Sequence, residues 1–148
     1  MGLTTAVGRG PVALDTAAFI YFIEDHPRFG PLVERLLVDA DRGTRPVVTS
    51  ALTLLEVLVV PYRVGDVALA QRYETILSRS RGVRLVDLDH TQLRTAAQLR
   101  ATHRVRTPDA LQLAAALTQR CTAFVTNDRA MPRVPGLTVL QLTDFVNR

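Results

Sequence analysis

What the chain lacks narrows its class first. A single cysteine, Cys121, cannot close an internal disulfide and has no companions at metal-ligand spacing. The longest apolar run, Ala51 to Val60, is interrupted by Glu56 and falls far short of a bilayer span. Met1 to Gly10 carries no apolar stretch of the kind a secretory leader needs, and Ala6 stands where a myristoylation signal has serine or threonine. A cytoplasmic location with no membrane partner is the expectation. Aromatic residues make up only 5%, too few for base stacking to dominate contact with a nucleic acid. Gly8-Arg9-Gly10 lacks the length and the Lys-Ser/Thr of a phosphate-binding loop, and no serine or cysteine sits in a nucleophile-elbow context. The histidines His26, His90 and His103 share no metal-ligand spacing.

Lysine is absent altogether, so all 18 basic residues are arginine, against 14 acids and for a net charge of +4. The planar guanidinium fork suits phosphate, which favours a nucleic-acid partner. A codon preference for arginine gives the same excess, so the charge permits RNA binding without establishing it. Arg104 and Arg106, just ahead of Asp109, are the candidates for phosphate contact.

What is present fits one α/β domain. The chain has 148 residues, 47% of them hydrophobic, enough for one sizeable core. Short apolar runs at 11–14, 46–49, 83–86, 123–126 and 137–140 read as strands. Between them lie helical patterns: Thr16 to Ile23, Pro27 to Asp41 with Phe29, Leu32, Val33, Leu36, Leu37 and Ala40 on one face, and a helix capped by Ser50 that ends before Pro61. Further helices are expected over 66–80 and over 91–103, the latter with Leu93, Ala96 and Ala97 inward. Thr107-Pro108 starts a last, almost wholly apolar helix, and a short helical tail follows the fifth strand. Strands alternating with helices predict a three-layer fold, a central, mainly parallel five-stranded sheet flanked by helices.

Ligands of such sheets bind beyond the carboxyl ends of the strands. Asp15 closes the first strand and Asp128 lies two residues past the fourth, while Glu56 and Asp109 sit near helix starts at the same edge. All four can converge on one cleft. Taken singly, each acid also fits an ordinary role: Asp15 as a helix cap, Asp109 as a first-turn acid, Asp128 as a turn residue. Glu56 is the informative one, because it interrupts Leu54-Leu55-Glu56-Val57-Leu58, where burying an unpaired carboxylate would cost several kcal/mol. Four converging carboxylates call for cations between them, and oxygen-only ligands favour Mg²⁺ or Mn²⁺ over zinc. The chemistry that follows is metal-assisted phosphodiester hydrolysis. A haloacid-dehalogenase-type phosphatase would need a second acid where Ala17 stands.

Taken in order, Leu14-Asp15-Thr16, Thr49-Ser50 followed by Glu56, Arg106-Thr107-Pro108-Asp109-Ala110 and Thr126-Asn127-Asp128 resemble the PIN-domain family, in particular its VapC-type toxins, over about residues 11 to 141. The resemblance implies a Mg²⁺- or Mn²⁺-dependent endoribonuclease with Asp15, Glu56, Asp109 and Asp128 as its acidic quartet. It further implies Thr126 and Thr16 as supporting hydroxyls, Asn127 as an outer ligand, a homodimer, and a VapB-type antitoxin that silences the site. The first ten residues precede the family's usual start and are expected to be a peripheral, flexible tail on a single domain. A non-catalytic PIN-like binder of RNA or protein and a housekeeping RNA-processing nuclease are the alternatives.

Overall fold

A computed structural model describes residues 1–146. Five strands, β1 (Val12–Leu14), β2 (Val47–Ser50), β3 (Val83–Val86), β4 (Ala123–Thr126) and β5 (Thr138–Gln141), form one parallel sheet in the order β3-β2-β1-β4-β5. Seven helices accompany them: α1 (Leu3–Val7), α2 (Thr16–Ile23), α3 (Gly30–Asp41), α4 (Leu52–Val64), α5 (Val67–Arg79), α6 (His90–Thr102) and α7 (Thr107–Thr118). A 3₁₀ turn, Leu142–Phe145, closes the described chain.

The period-two alternation of each strand sorts its side chains into two cores. Val12, Leu14, Val47, Ala123 and Val125 face a core shared with α1–α5, where Phe19, Val33, Leu36 and Leu77 are buried. Ala13, Val48 and Phe124 face the other core, filled by α6 and α7. The order of the strands follows from this division. Crossovers over one face carry the chain outward from β1 to β2 to β3, and right-handed connection then requires α6 and α7 to return over the opposite face to β4. The reversal falls between β1 and β4, which puts the crevice of the sheet at the ends of those two strands.

Several sequence expectations need correction. The first ten residues are no loose tail: Leu3–Val7 is helical, with Leu3 and Val7 buried in the first core. Helix α3 starts at Gly30 and not at Pro27, because the His26 ring accepts hydrogen bonds from the amides of Arg28 and Phe29 and holds 27–29 in a turn. Ser50 ends β2, and α4 starts one residue later than a cap there would give. That helix runs through Pro61 to Val64, where Gly65 at φ +75° supplies a left-handed cap. Pro61 costs the helix one amide donor, and its buried ring packs inward in the last turn. Arg106, not Thr107, precedes the first turn of α7. Leu93 and Ala97 face solvent while Gln92, Ala96 and Leu99 face inward, so α6 is rotated relative to its apolar pattern.

Candidate active site

Asp15 follows β1 as the N-cap of α2. Its Oδ1 accepts from the Ala18 amide at 3.2 Å and its Oδ2 from the Thr126 hydroxyl at 2.6 Å. The capping role and the cleft role therefore belong to one side chain. Thr126, the fully buried last residue of β4, also accepts from the Asp128 amide at 2.9 Å, so one hydroxyl ties the end of β1 to the turn after β4. Asp128 Oδ1 in turn accepts from the Ala130 amide, closing an Asx turn.

Burial pushes the Asp15 carboxyl up to about 6, a rise moderated by the hydrogen bonds from Thr126 and Ala18 and reinforced by the charges of Asp109 and Asp128. Asp109, in the first turn of α7, is raised by desolvation and by Asp128 and Glu56, with Arg106 acting the other way. Charge links the acids in sequence: Asp15 senses Asp109 and Asp128, and Asp109 senses Asp128 and Glu56. Among the described residues none of the four takes part in a salt bridge. As placed, no three His, Cys, Asp or Glu side chains among the described residues stand close enough together to hold a metal ion.

Glu56 departs from its expected setting. The residue is exposed, so no desolvation penalty attaches to it; it breaks the apolar run because it lies on the outer surface of α4. Its Oε1 accepts from the Thr16 hydroxyl at 2.6 Å, which brings it to the same edge as Asp15. Thr16 therefore reaches Glu56 through its side chain. Asn127 has other partners: its Oδ1 accepts from the Thr143 amide at 3.0 Å and its Nδ2 donates to Tyr21 at 3.5 Å, clamping the C-terminal turn against β4. Arg104 and Arg106 are both exposed, and Arg106 acts electrostatically on Asp109.

Sequence reasoning passed over Gln112 and Thr53, and quoted Thr49 only as part of a motif. All three are buried and hydrogen-bonded together behind Thr16. A glutamine inside an otherwise apolar helix was the available signal, because a buried amide requires partners.

An all-parallel α/β sheet with acids near the carboxyl ends of the strands at its switch point is the class of fold the structure defines. The PIN domain family model matches residues 12–137, and the chain belongs to that family. The fold is similar to solved structures of VapBC2 from Rickettsia felis bound to a DNA fragment from their promoter (TM-score 0.62, 19% identity, 88% of this chain and 98% of that one). It is also similar to a toxin–antitoxin complex from Klebsiella pneumoniae (TM-score 0.62, 20% identity, 86% and 95%) and to FitAcB from Neisseria gonorrhoeae (TM-score 0.61, 20% identity, 89% and 98%). No curated protein sequence matches the chain.

Proposed function

We propose that this PIN domain is a Mg²⁺- or Mn²⁺-dependent endoribonuclease acting as the toxin of a VapBC-type pair. The observation that carries the reading is Asp15, a half-buried carboxylate raised to about 6 and facing two further acids, Asp109 and Asp128, with no salt-bridge partner among the described residues. Such an arrangement is costly for a fold to keep without a cation to offset it. The donors are all oxygens, which suits a hard divalent ion, and the open spacing of the acids leaves them to be drawn in when one binds.

A bound ion would supply Lewis-acid stabilisation of phosphate charge and an activated water. The chain's own residues set the stage for this. Thr126 and the Ala18 amide aim both oxygens of Asp15, Thr16 restrains Glu56, and the first turn of α7 presents Asp109. Arg106, exposed at the rim beside Asp109, is suited to meet an RNA phosphate, with Arg104 two residues before it.

Partner binding has support of its own. α4 exposes Leu55, Val59 and Tyr62 along one face, with Val60 and Val64 exposed on another, apolar surface of the sort that partners cover. A homodimer partner and a VapB-type antitoxin are the occupants the reading assigns to it. Among the described residues no helix is long and apolar enough to cross a membrane, and a cytoplasmic location belongs to the same reading.

RNA cleavage by the purified chain, with Mn²⁺ or with EDTA and beside Asp15→Asn, tests the proposal. Cutting that needs the metal and disappears in the variant is the expected result. A folded protein that binds RNA or its neighbouring-gene partner yet cuts no RNA under any metal would favour the non-catalytic alternative, whereas metal-dependent cutting by a chain that forms no complex with its neighbouring gene product would favour a housekeeping nuclease.

A further inference from the structure

β1 and β2 pair only as far as Ala13 and Val48. Past that point Gln112 of α7, 4% exposed, reaches the end of β2 and takes the Ser50 amide as a partner. The Ser50 N–H donates to Gln112 Oε1 at 3.2 Å. A backbone amide can only donate, so the carbonyl end of Gln112 must face it, and the side-chain flip is fixed. The Thr49 hydroxyl donates to the same oxygen at 3.3 Å, which leaves Thr49 to accept from Thr53 at 2.8 Å. Gln112 Nε2 then donates to Thr53 Oγ1 at 2.8 Å and to Thr16 Oγ1 at 3.5 Å. The Thr53 hydroxyl, 3.2 Å from Thr16, is a second acceptor for the Thr16 proton, but the carboxylate oxygen of Glu56, 2.6 Å away, is the closer and the charged one and takes it.

We infer that Gln112 is a positioning residue of the carboxylate cleft: anchored on the Ser50 amide, it orients the Thr16 hydroxyl that holds Glu56. Gln112 lies one turn beyond Asp109 on α7, so the same helix that presents one acid fixes the posture of another on α4. Glu56 is exposed, and the Thr16 contact is its one hydrogen bond to the protein among the described residues. An exposed glutamate without that restraint samples many rotamers, and ordering it would then fall to the ligand. The inference rests on the reading of the cleft as a metal site, and its test separates the two.

Mn²⁺ binding to the full chain, followed by the electron paramagnetic resonance signal of free Mn²⁺, is measured beside thermal melting. The set comprises wild type, Asp15→Asn, Gln112→Met, Gln112→Glu, Thr16→Val, Thr16→Ser and the Gln112→Met/Thr16→Val pair. Gln112→Met and Thr16→Val should each weaken Mn²⁺ binding by about 10-fold or more, the usual scale for a partner behind a metal ligand. The double variant should lose no more than the worse single, and Thr16→Ser should bind as wild type does. Gln112→Glu keeps the shape but removes the donor to Thr16, so it serves if Gln112→Met fails to fold, and the same loss is expected. Losses that multiply in the double variant, or lower melting with unchanged Mn²⁺ affinity, would overturn the inference and leave Gln112 a packing residue. Wild-type binding that is absent, or indifferent to Asp15→Asn, would sink the metal site itself and this inference with it.

Discussion

Replacing Asp15 by asparagine should make the metal-free protein more stable, although it removes a residue at the centre of the cleft. A rise from the ordinary 3.8 to about 6 means that ionised Asp15 holds about 3 kcal/mol against the folded state at neutral pH. Asparagine carries no charge and lifts that penalty. Its single carbonyl oxygen can satisfy only one of the two donors, the Ala18 amide or the Thr126 hydroxyl, and the lost hydrogen bond returns about 1 kcal/mol. The net gain of about 2 kcal/mol corresponds to a melting temperature higher by about 6 °C in a domain of this size. The sign depends on pH in a defined way. Because the folded pKa lies above the unfolded one, wild type loses stability as pH rises through about 4 to 6 and is relieved below that window. The gap between variant and wild type should therefore be widest above pH 7, close by pH 4, and reverse slightly below. Calorimetry or circular dichroism in EDTA at pH 7.5, 5 and 4 measures it. Added Mn²⁺ at about 100 times its dissociation constant should return about 2.7 kcal/mol to wild type and little to the variant. A variant that melts at or below wild type at pH 7.5 in EDTA would refute the reasoning, and so would a gap that persists unchanged at pH 4.

Two further substitutions probe the frame around the cleft. Thr126→Val deletes the donor to Asp15 and the acceptor for the Asp128 amide, so it should cost about 1–3 kcal/mol of stability and lift the Asp15 carboxyl higher still, which the pH dependence of melting would register; an unshifted profile would mean that Thr126 does not govern Asp15. Gly82→Ala should destabilise by more than 1 kcal/mol in chemical denaturation, because φ is +79° there and an added Cβ would run into the Ala40 carbonyl; a neutral effect would show that the turn into β3 can give way.

The parts of the fold written in hydrophobic period were legible: strands at their positions, α3 and α5 by their stripes, α7 by being apolar all round. Errors arose where polar atoms outweigh that pattern. In α6 the buried positions include Gln92, whose Nε2 donates to Thr118, so the helix turns Leu93 outward. The N-terminal residues carry too short a stripe to predict a helix, and Leu3 and Val7 find their place only against a core assembled from distant segments. In the cleft, Asp15, Asp109 and Asp128 were placed by strand ends and helix starts, which local sequence marks well. Glu56 was singled out for a burial it does not have, since an apolar run around an acid does not distinguish a buried carboxylate from an exposed apolar face. Gln112 and Asn127 acquire their roles from partners 62 and 16 residues away, which no local pattern records.

The placement of β4 beside β1 also sets a timetable. The hydroxyl that aims Asp15 comes from Thr126, 111 positions later in the chain, and the strand carrying it must slot between β1 and β5. A polypeptide emerging amino end first presents β1, β2 and β3 with the helices over them before β4 exists, although the first core is completed only by Ala123 and Val125 of β4 and by Leu142. That portion holds Asp15 and Glu56 but neither Asp109 nor Asp128, and its Asp15 has no Thr126 to aim it. The four acids come together only after the chain has grown past Asp128, so a chain that stops before β4 would lack the complete set. If the chain is the ribonuclease toxin proposed above, late completion would give a partner time to be present before the first competent molecule exists.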